Sequence, residues 1–171
     1  MKFMERGNSV LDATFFSLST APLEIAMTLH LFSSKELTWE PKTWDGIPGE
    51  HFTAIEQICH LRDVEIDGYQ ERIRAIIAKD NPFLPSIKGY GLSIQKNYKN
   101  AALNDVIEEF KMARAQTLKI IDSIEKDQWS KTGELEGYCK ITLSGLINFL
   151  CSHDYEHLAS LRWLLGKIKE V

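Results

Sequence analysis

The chain has 171 residues, 44% of them hydrophobic and 26% charged, with a formal charge of −4. That supplies a substantial core, excludes a disordered chain and points to a single domain over residues 1–171. No cluster of lysine and arginine is dense enough to hold a phosphate backbone, and no apolar run approaches the ~18 residues of a membrane span, so neither nucleic acid nor membrane is an expected partner.

Met1 to Asp12 lacks a basic run followed by an apolar core, so a cytoplasmic location is expected. Residues 1–19 resist assignment: Val10 to Leu18 reads equally as a short helix or an extended arm. Thr20-Ala21-Pro22 has the form of a helix start, with proline tolerated in the first turn. Leu23, Ile25, Ala26, Leu29 and Phe32 continue it to Ser33 or Ser34. A loop with Trp39, Pro41, Trp44, Gly46, Pro48 and Gly49 comes next, with the composition of an ordered connection. From about Glu50 to Lys79 the pattern is helical again. Ile55, Ile58, Cys59, Ile66, Ile73, Ile76 and Ile77 mark its buried side, with Leu61 and Val64 alongside. Asn81-Pro82 and Pro85 stop it, and Ser86 to Ser93 form a connection rich in Gly and Tyr.

A third long helix begins at Ile94 or Asn100 and runs to Ile124. Lys126 to Lys140 reads as a loop with a short extended piece near Tyr138, and Thr142 caps a last helix reaching about Lys167. Four long amphipathic helices joined by long loops predict an all-α four-helix bundle, whose core is a usual place for a metal site.

Three cysteines without C-x-x-C spacing exclude a disulfide framework or a zinc ribbon. Cys59 and Cys151 fall off the histidine-bearing faces and read as small buried hydrophobes, with Cys139 more exposed. The chemistry concentrates at Ser152-His153-Asp154-Tyr155-Glu156-His157. His153 and His157 are four residues apart, so on a helix their imidazoles lie one above the other and can grip one divalent cation. Leu146, Phe149, Leu150, Leu161 and Leu164 share that face, so the pair points into a core or its rim, where polar groups need partners.

Open metal sites normally use a third protein ligand. His60 is the best placed, on the edge of the second helix's apolar side. His51 points nearly opposite, and His30 reads as an ordinary packed residue. The pattern H-x-x-E-H of some zinc peptidases matches through Glu156, but that chemistry needs a carboxylate ligand well downstream and only Glu170 remains. The Glu-x-x-His pairs of di-iron bundles are absent.

Two segments resemble the DinB, or YfiT-like, family of metal-binding four-helix bundles. Its second helix typically opens Trp-Ser-x-x-Glu-x-x-x-His-Leu. Here Phe52-Thr53-Ala54-Ile55-Glu56-Gln57-Ile58-Cys59-His60-Leu61 stands in that place, with Phe for Trp and Thr for Ser. The family's last helix carries His-x-x-x-His before a Leu-rich stretch, as at His153 to Leu161. The resemblance implies that His60, His153 and His157 bind one divalent ion, commonly nickel or zinc. Glu56 and Asp63, within one turn of His60, would be candidates to orient a ligand or a bound water. Asp154 and Glu156 project away, to the surface or to supporting roles, and the Trp39 and Trp44 loop either covers the site or plugs a bundle end. The resemblance further implies a small-molecule substrate, with a low-molecular-weight thiol as one class, and a homodimer. Four readings of function stay open: a metal-dependent thiol S-transferase, a metal-dependent hydrolase, a non-catalytic bundle stabilised by its metal, or a bundle that has lost its metal and serves as an interaction module.

Overall fold

Helix α1 (Val10–Leu29) begins ten residues before Thr20, so Val10 to Leu18 is helix and Pro22 sits in a helix interior. The structure, a computed structural model, describes residues 10–169; the start of the unassigned segment 1–19 and Glu170 lie outside the described residues. A proline in a helix interior has no N–H for the carbonyl four residues back. That carbonyl belongs to Leu18, and it accepts instead from Nη1 of Arg114 at 2.9 Å. A side chain from another helix thus replaces the missing backbone donor, which local sequence rules could not show.

The second long helix spans residues 54–78 in three parts: α2 (Ala54–Asp63), a π-helical turn (Val64–Gln70) and α3 (Glu71–Ala78). Its start is a capping box, Glu56 accepting from the backbone N–H and hydroxyl of Thr53 at 2.9 and 2.7 Å. The π turn is wider than an α turn and shifts the phase of the helix. Ile66, expected inside by its spacing, is 40% exposed, while Glu65 is 1% exposed. A charged residue is therefore turned into the core where the 3.6-residue period placed an isoleucine.

The connection after α3 holds a short helix α4 (Gly89–Gln95); Asn97, with φ of 51°, separates it from a single 3-10 turn at Tyr98–Asn100. The third long helix, α5 (Leu103–Asp122), therefore starts later than either Ile94 or Asn100. The region read as a loop forms a small sheet. Strand β1 (Phe83–Leu84) runs parallel to β2 (Thr132–Leu135), and β2 pairs antiparallel with β3 (Cys139–Thr142). Tyr138 lies in the β2–β3 turn beside Gly137, whose φ of 81° favours glycine. Thr142 caps α6 (Leu143–Lys169), its hydroxyl accepting from the N–H of Gly145 at 3.0 Å. No helix among the described residues is long and apolar enough to cross a membrane.

The architecture is a four-helix bundle of α1, α2–α3, α5 and α6, with the sheet against one end. Its core is two apolar clusters. One gathers Ile25, Ile58, Phe110 and Leu161; the other gathers Leu18, Ile73, Ile121 and Leu146. On three of the helices buried polar residues lie near the junction of the two clusters: Glu65 after α2, Arg114 on α5, Asp154 and His157 on α6. Asp154 is thus neither a surface residue nor beside the histidine nitrogens. It faces Arg114, which also binds Glu65.

All five guanidinium N–H donors of Arg114 are used. Nε and Nη2 donate to Glu65 at 2.8 and 2.9 Å, Nη1 and Nη2 to Asp154 at 2.7 and 2.9 Å, and Nη1 to the Leu18 carbonyl. One side chain ties together all four long helices. Burial raises the Asp154 carboxyl above its ordinary value even with this cation beside it.

Candidate metal centre

His60 lies on α2, and His153 and His157 on α6, one turn apart. The three Nε2 atoms face one another: His153 is 3.1 Å from His157 and 3.4 Å from His60. One ligand atom from each lies within 4.8 Å of the others. With metal–nitrogen bonds of about 2.0–2.1 Å, a tetrahedral ion sets its nitrogens about 3.3 Å apart. The two spacings to His153 bracket that value.

Electrostatics favour the neutral imidazoles that metals need. Burial lowers His60 from an ordinary 6.5 to about 4. Burial, then the charges of His60, Arg114 and Arg72, lowers His153 to about 3. Burial beside the other two histidines holds His157 well below its ordinary value. The metal-free protein therefore takes up protons when it unfolds at mildly acid pH. The imidazoles' contribution to stability is complete above about pH 6.5 and falls as the pH drops toward about 4, with a slope near 1.4 kcal/mol per pH unit for each imidazole kept neutral. Urea unfolding of chelator-treated protein at pH 7 and pH 5 measures this slope; the His60→Gln variant is expected to show a shallower one.

Gln57, absent from the sequence-derived candidates, orients the centre. Its Nε2 donates to the carbonyls of Phe52 and Glu50 at 3.1 and 3.3 Å. That fixes the amide so that Oε1 accepts from Nδ1–H of His157 and leaves the lone pair on Nε2. Gln57→Leu is expected to weaken divalent-metal affinity about 10- to 100-fold, measured by competition against a chromophoric chelator. The one sequence signal for Gln57 was its place three residues before His60, hence on the same face.

Phe52 packs on His60 with ring centres 5.2 Å apart, filling the place the resemblance gives to Trp. Gly89 also stands against this ring, and a Cβ there would lie 2.6 Å from Cε1 and 2.7 Å from Nδ1 of His60. Any side chain there would displace the ring. Nδ1 of His60 is also the one buried side-chain polar atom among the described residues that has no hydrogen-bond partner.

The hydrogen bonds of Glu56 and Asp63 go elsewhere, although the charge of Asp63 reaches His60. Glu56 is spent on the capping box, and Asp63 accepts from Tyr98 at 2.5 Å and pairs with Arg62 and Lys96 at 2.9 and 3.1 Å. The carboxylate at the centre is Glu50, from the loop before α2, 3.1 Å from Nε2 of His60. Burial and the nearby charge of Glu156 raise its pKa. No periodicity marks a loop glutamate, so the sequence held no signal for it.

His51 is exposed and stacks on Trp44 with ring centres 5.3 Å apart, and His30 is exposed rather than packed. Trp39 and Trp44 pack on the apolar cluster around Ile58, Trp44 stacking on Trp163, and neither lines the cavity at the histidines. Cys59 is fully buried and its thiol is pushed up to about 12 by burial, an inert hydrophobe as expected; Cys151 is half-buried and Cys139 exposed.

The histidines open into a cavity of about 280 Å³ walled by α2–α3, the sheet and α6. The sequence profile of the DinB superfamily matches residues 18–161. The chain belongs to the DinB superfamily. Among solved structures, YfiT from Bacillus subtilis, described as a probable metal-dependent hydrolase with an unusual four-helix bundle topology, superposes with a TM-score of 0.82. The match covers 96% of this chain and 92% of that one, at 15% sequence identity. At that identity the likeness establishes the fold. None of the curated proteins compared matches the chain. Within this DinB-superfamily bundle the three-histidine cluster has the spacing and the protonation state that suit a divalent metal.

Proposed function

We propose that His60, His153 and His157 hold one divalent transition metal, nickel or zinc, and that the protein is a metal-dependent enzyme acting on a small molecule bound in the adjoining cavity. The observation carrying this reading is that three imidazoles from two helices converge, with ligand nitrogens within 4.8 Å of one another, on the wall of a cavity. Such an ion supplies Lewis acidity to an oxygen or sulfur group presented to it.

The chain's own residues do the rest. Gln57 holds the His157 tautomer, and Phe52 and Gly89 fix the His60 ring. Glu50 contacts His60 among the three histidines and is half exposed, so its carboxylate is placed to accept a proton from an incoming nucleophile rather than to close a structural site.

With a low-molecular-weight thiol as that nucleophile the reaction is S-transfer to an electrophile; with water it is hydrolysis. The hydrolytic reading draws support from the description of YfiT as a probable metal-dependent hydrolase. The test is turnover by metal-loaded protein with small thiols plus an activated aryl halide, and with activated esters and amides. Metal-dependent turnover that vanishes in His153→Ala is expected for one set. Absence of turnover in both sets would leave a bundle that uses its ion for stability alone.

A further inference from the structure

Arg72, on α3, is the one lysine or arginine among the described residues lining the cavity. It is only 8% exposed, yet no carboxylate pairs with it among the described residues. The contrast with Arg114 is direct, since that buried cation lies between two carboxylates. Arg72 gives Nε and Nη2 to one acceptor, the carbonyl of Pro85, at 3.2 and 2.7 Å, and lies 5.5 Å over the ring of Tyr69.

Of five N–H donors, two are spent, leaving three, including both on Nη1. Glu136, the acid on the same wall, is engaged by the N–H of Ser86 at 2.8 Å. Glu50 and Glu156 stand together on the histidine side of the cavity. Nη1 of Arg72 is not among the buried polar atoms that lack a partner, so this edge of the guanidinium is open to the cavity, where a bound anion can supply the charge that no described acid of the chain does. Burial lowers the pKa of Arg72, and its charge reaches His153 across the cavity.

We infer that Arg72 is a recognition site for a carboxylate on a small organic molecule, whose apolar body rests on Tyr138 and Phe149 and whose other end reaches the histidines. The planar guanidinium edge suits a carboxylate, which it can bind through two parallel hydrogen bonds. Tyr138 and Phe149, with ring centres 5.0 Å apart, form the apolar wall of the same cavity. Identifying this carboxylate as part of the substrate rests on the metal-enzyme reading above; the anion site itself does not.

The test uses two matched probe pairs at pH 8, where burial keeps the imidazoles neutral. On metal-free protein, benzoate is compared with its neutral isostere benzamide by calorimetry. Benzoate is expected to bind about tenfold tighter or better, the advantage of a hydrogen bond to a charged group, and Arg72→Met is expected to bring the two within about twofold. Arg72→Lys keeps the charge without the fork and is expected to fall between.

Equal binding of benzoate and benzamide by the wild-type protein overturns the inference, as does a benzoate preference that survives Arg72→Met. If Arg72→Met does not fold, the wild-type comparison and Arg72→Lys still decide. On cobalt-loaded protein, thioglycolate and 2-mercaptoethanol are compared through the visible spectrum, where sulfur reports the metal and the carboxylate reports Arg72. Failure to bind cobalt with the benzoate preference intact overturns the metal reading alone. Cobalt binding without any anion preference overturns the Arg72 inference alone.

Discussion

His157→Ala is expected to lower divalent-metal affinity by more than about 100-fold, so that protein purified without an affinity tag and dialysed keeps under roughly a tenth of the wild-type metal by elemental analysis. His157 is the most constrained member of the cluster. It is 2% exposed, its Nδ1 is engaged by Gln57, and its Nε2 lies 3.1 Å from that of His153. Removing it leaves two imidazoles from different helices, with no other described histidine near enough to substitute. His51 and His30 are exposed elsewhere on the surface. Glu56→Gln supplies the contrast, because Glu56 serves the helix start and not the centre. That variant is expected to lose about 1 kcal/mol of stability and no metal. Unchanged metal in His157→Ala, with circular dichroism showing an intact bundle, would falsify the three-histidine site.

Arg114→Met is expected to destabilise the protein by about 3–5 kcal/mol, the loss typical of a buried ion pair stripped of one partner. For a chain of this size that corresponds to a fall in Tm of roughly 10 °C, read by thermal unfolding. The change leaves two buried carboxylates, Glu65 and Asp154, without their cation and the Leu18 carbonyl without a donor. The last loss has a separate signature. Replacing Glu65, Arg114 and Asp154 together by apolar residues removes the charges and is expected to recover much of the stability. Full recovery is expected only when Pro22→Ala is added, because alanine restores the N–H that the Leu18 carbonyl lacks in α1. A triple variant no more stable than Arg114→Met would show that packing, rather than charge, sets the cost.

Much of the centre was legible because it obeys helical spacing. The i,i+4 pair of His153 and His157 and the edge position of His60 in its helix are properties of one helix at a time, and periodicity reports them. The supporting residues were not legible, because each acts across elements. Gln57 reaches from α2 to α6, Glu50 comes from a loop, and Gly89 is needed only because the His60 ring passes against it. Glu56 and Asp63 were drawn in by closeness in sequence to His60, yet the capping box and the Arg62–Lys96–Tyr98 cluster hold them elsewhere. Ile66 shows the same limit within a single helix. Its inward assignment assumes a constant 3.6-residue turn, and the π turn at Val64–Gln70 breaks that assumption.

The sequence by itself determined the all-helical class, the main breaks between helices and the three imidazoles, because hydrophobic period, proline placement and histidine spacing are local quantities. Tertiary structure alone decided that Pro22 lies inside a helix, that Glu65 and Asp154 are buried, that a small sheet walls the cavity, and that Arg72 faces it unpaired. Each of these depends on a donor, a charge or a surface supplied from a distant part of the chain. Burying a polar group is tolerable only once that partner is in place, and the partner's identity is written in no local pattern.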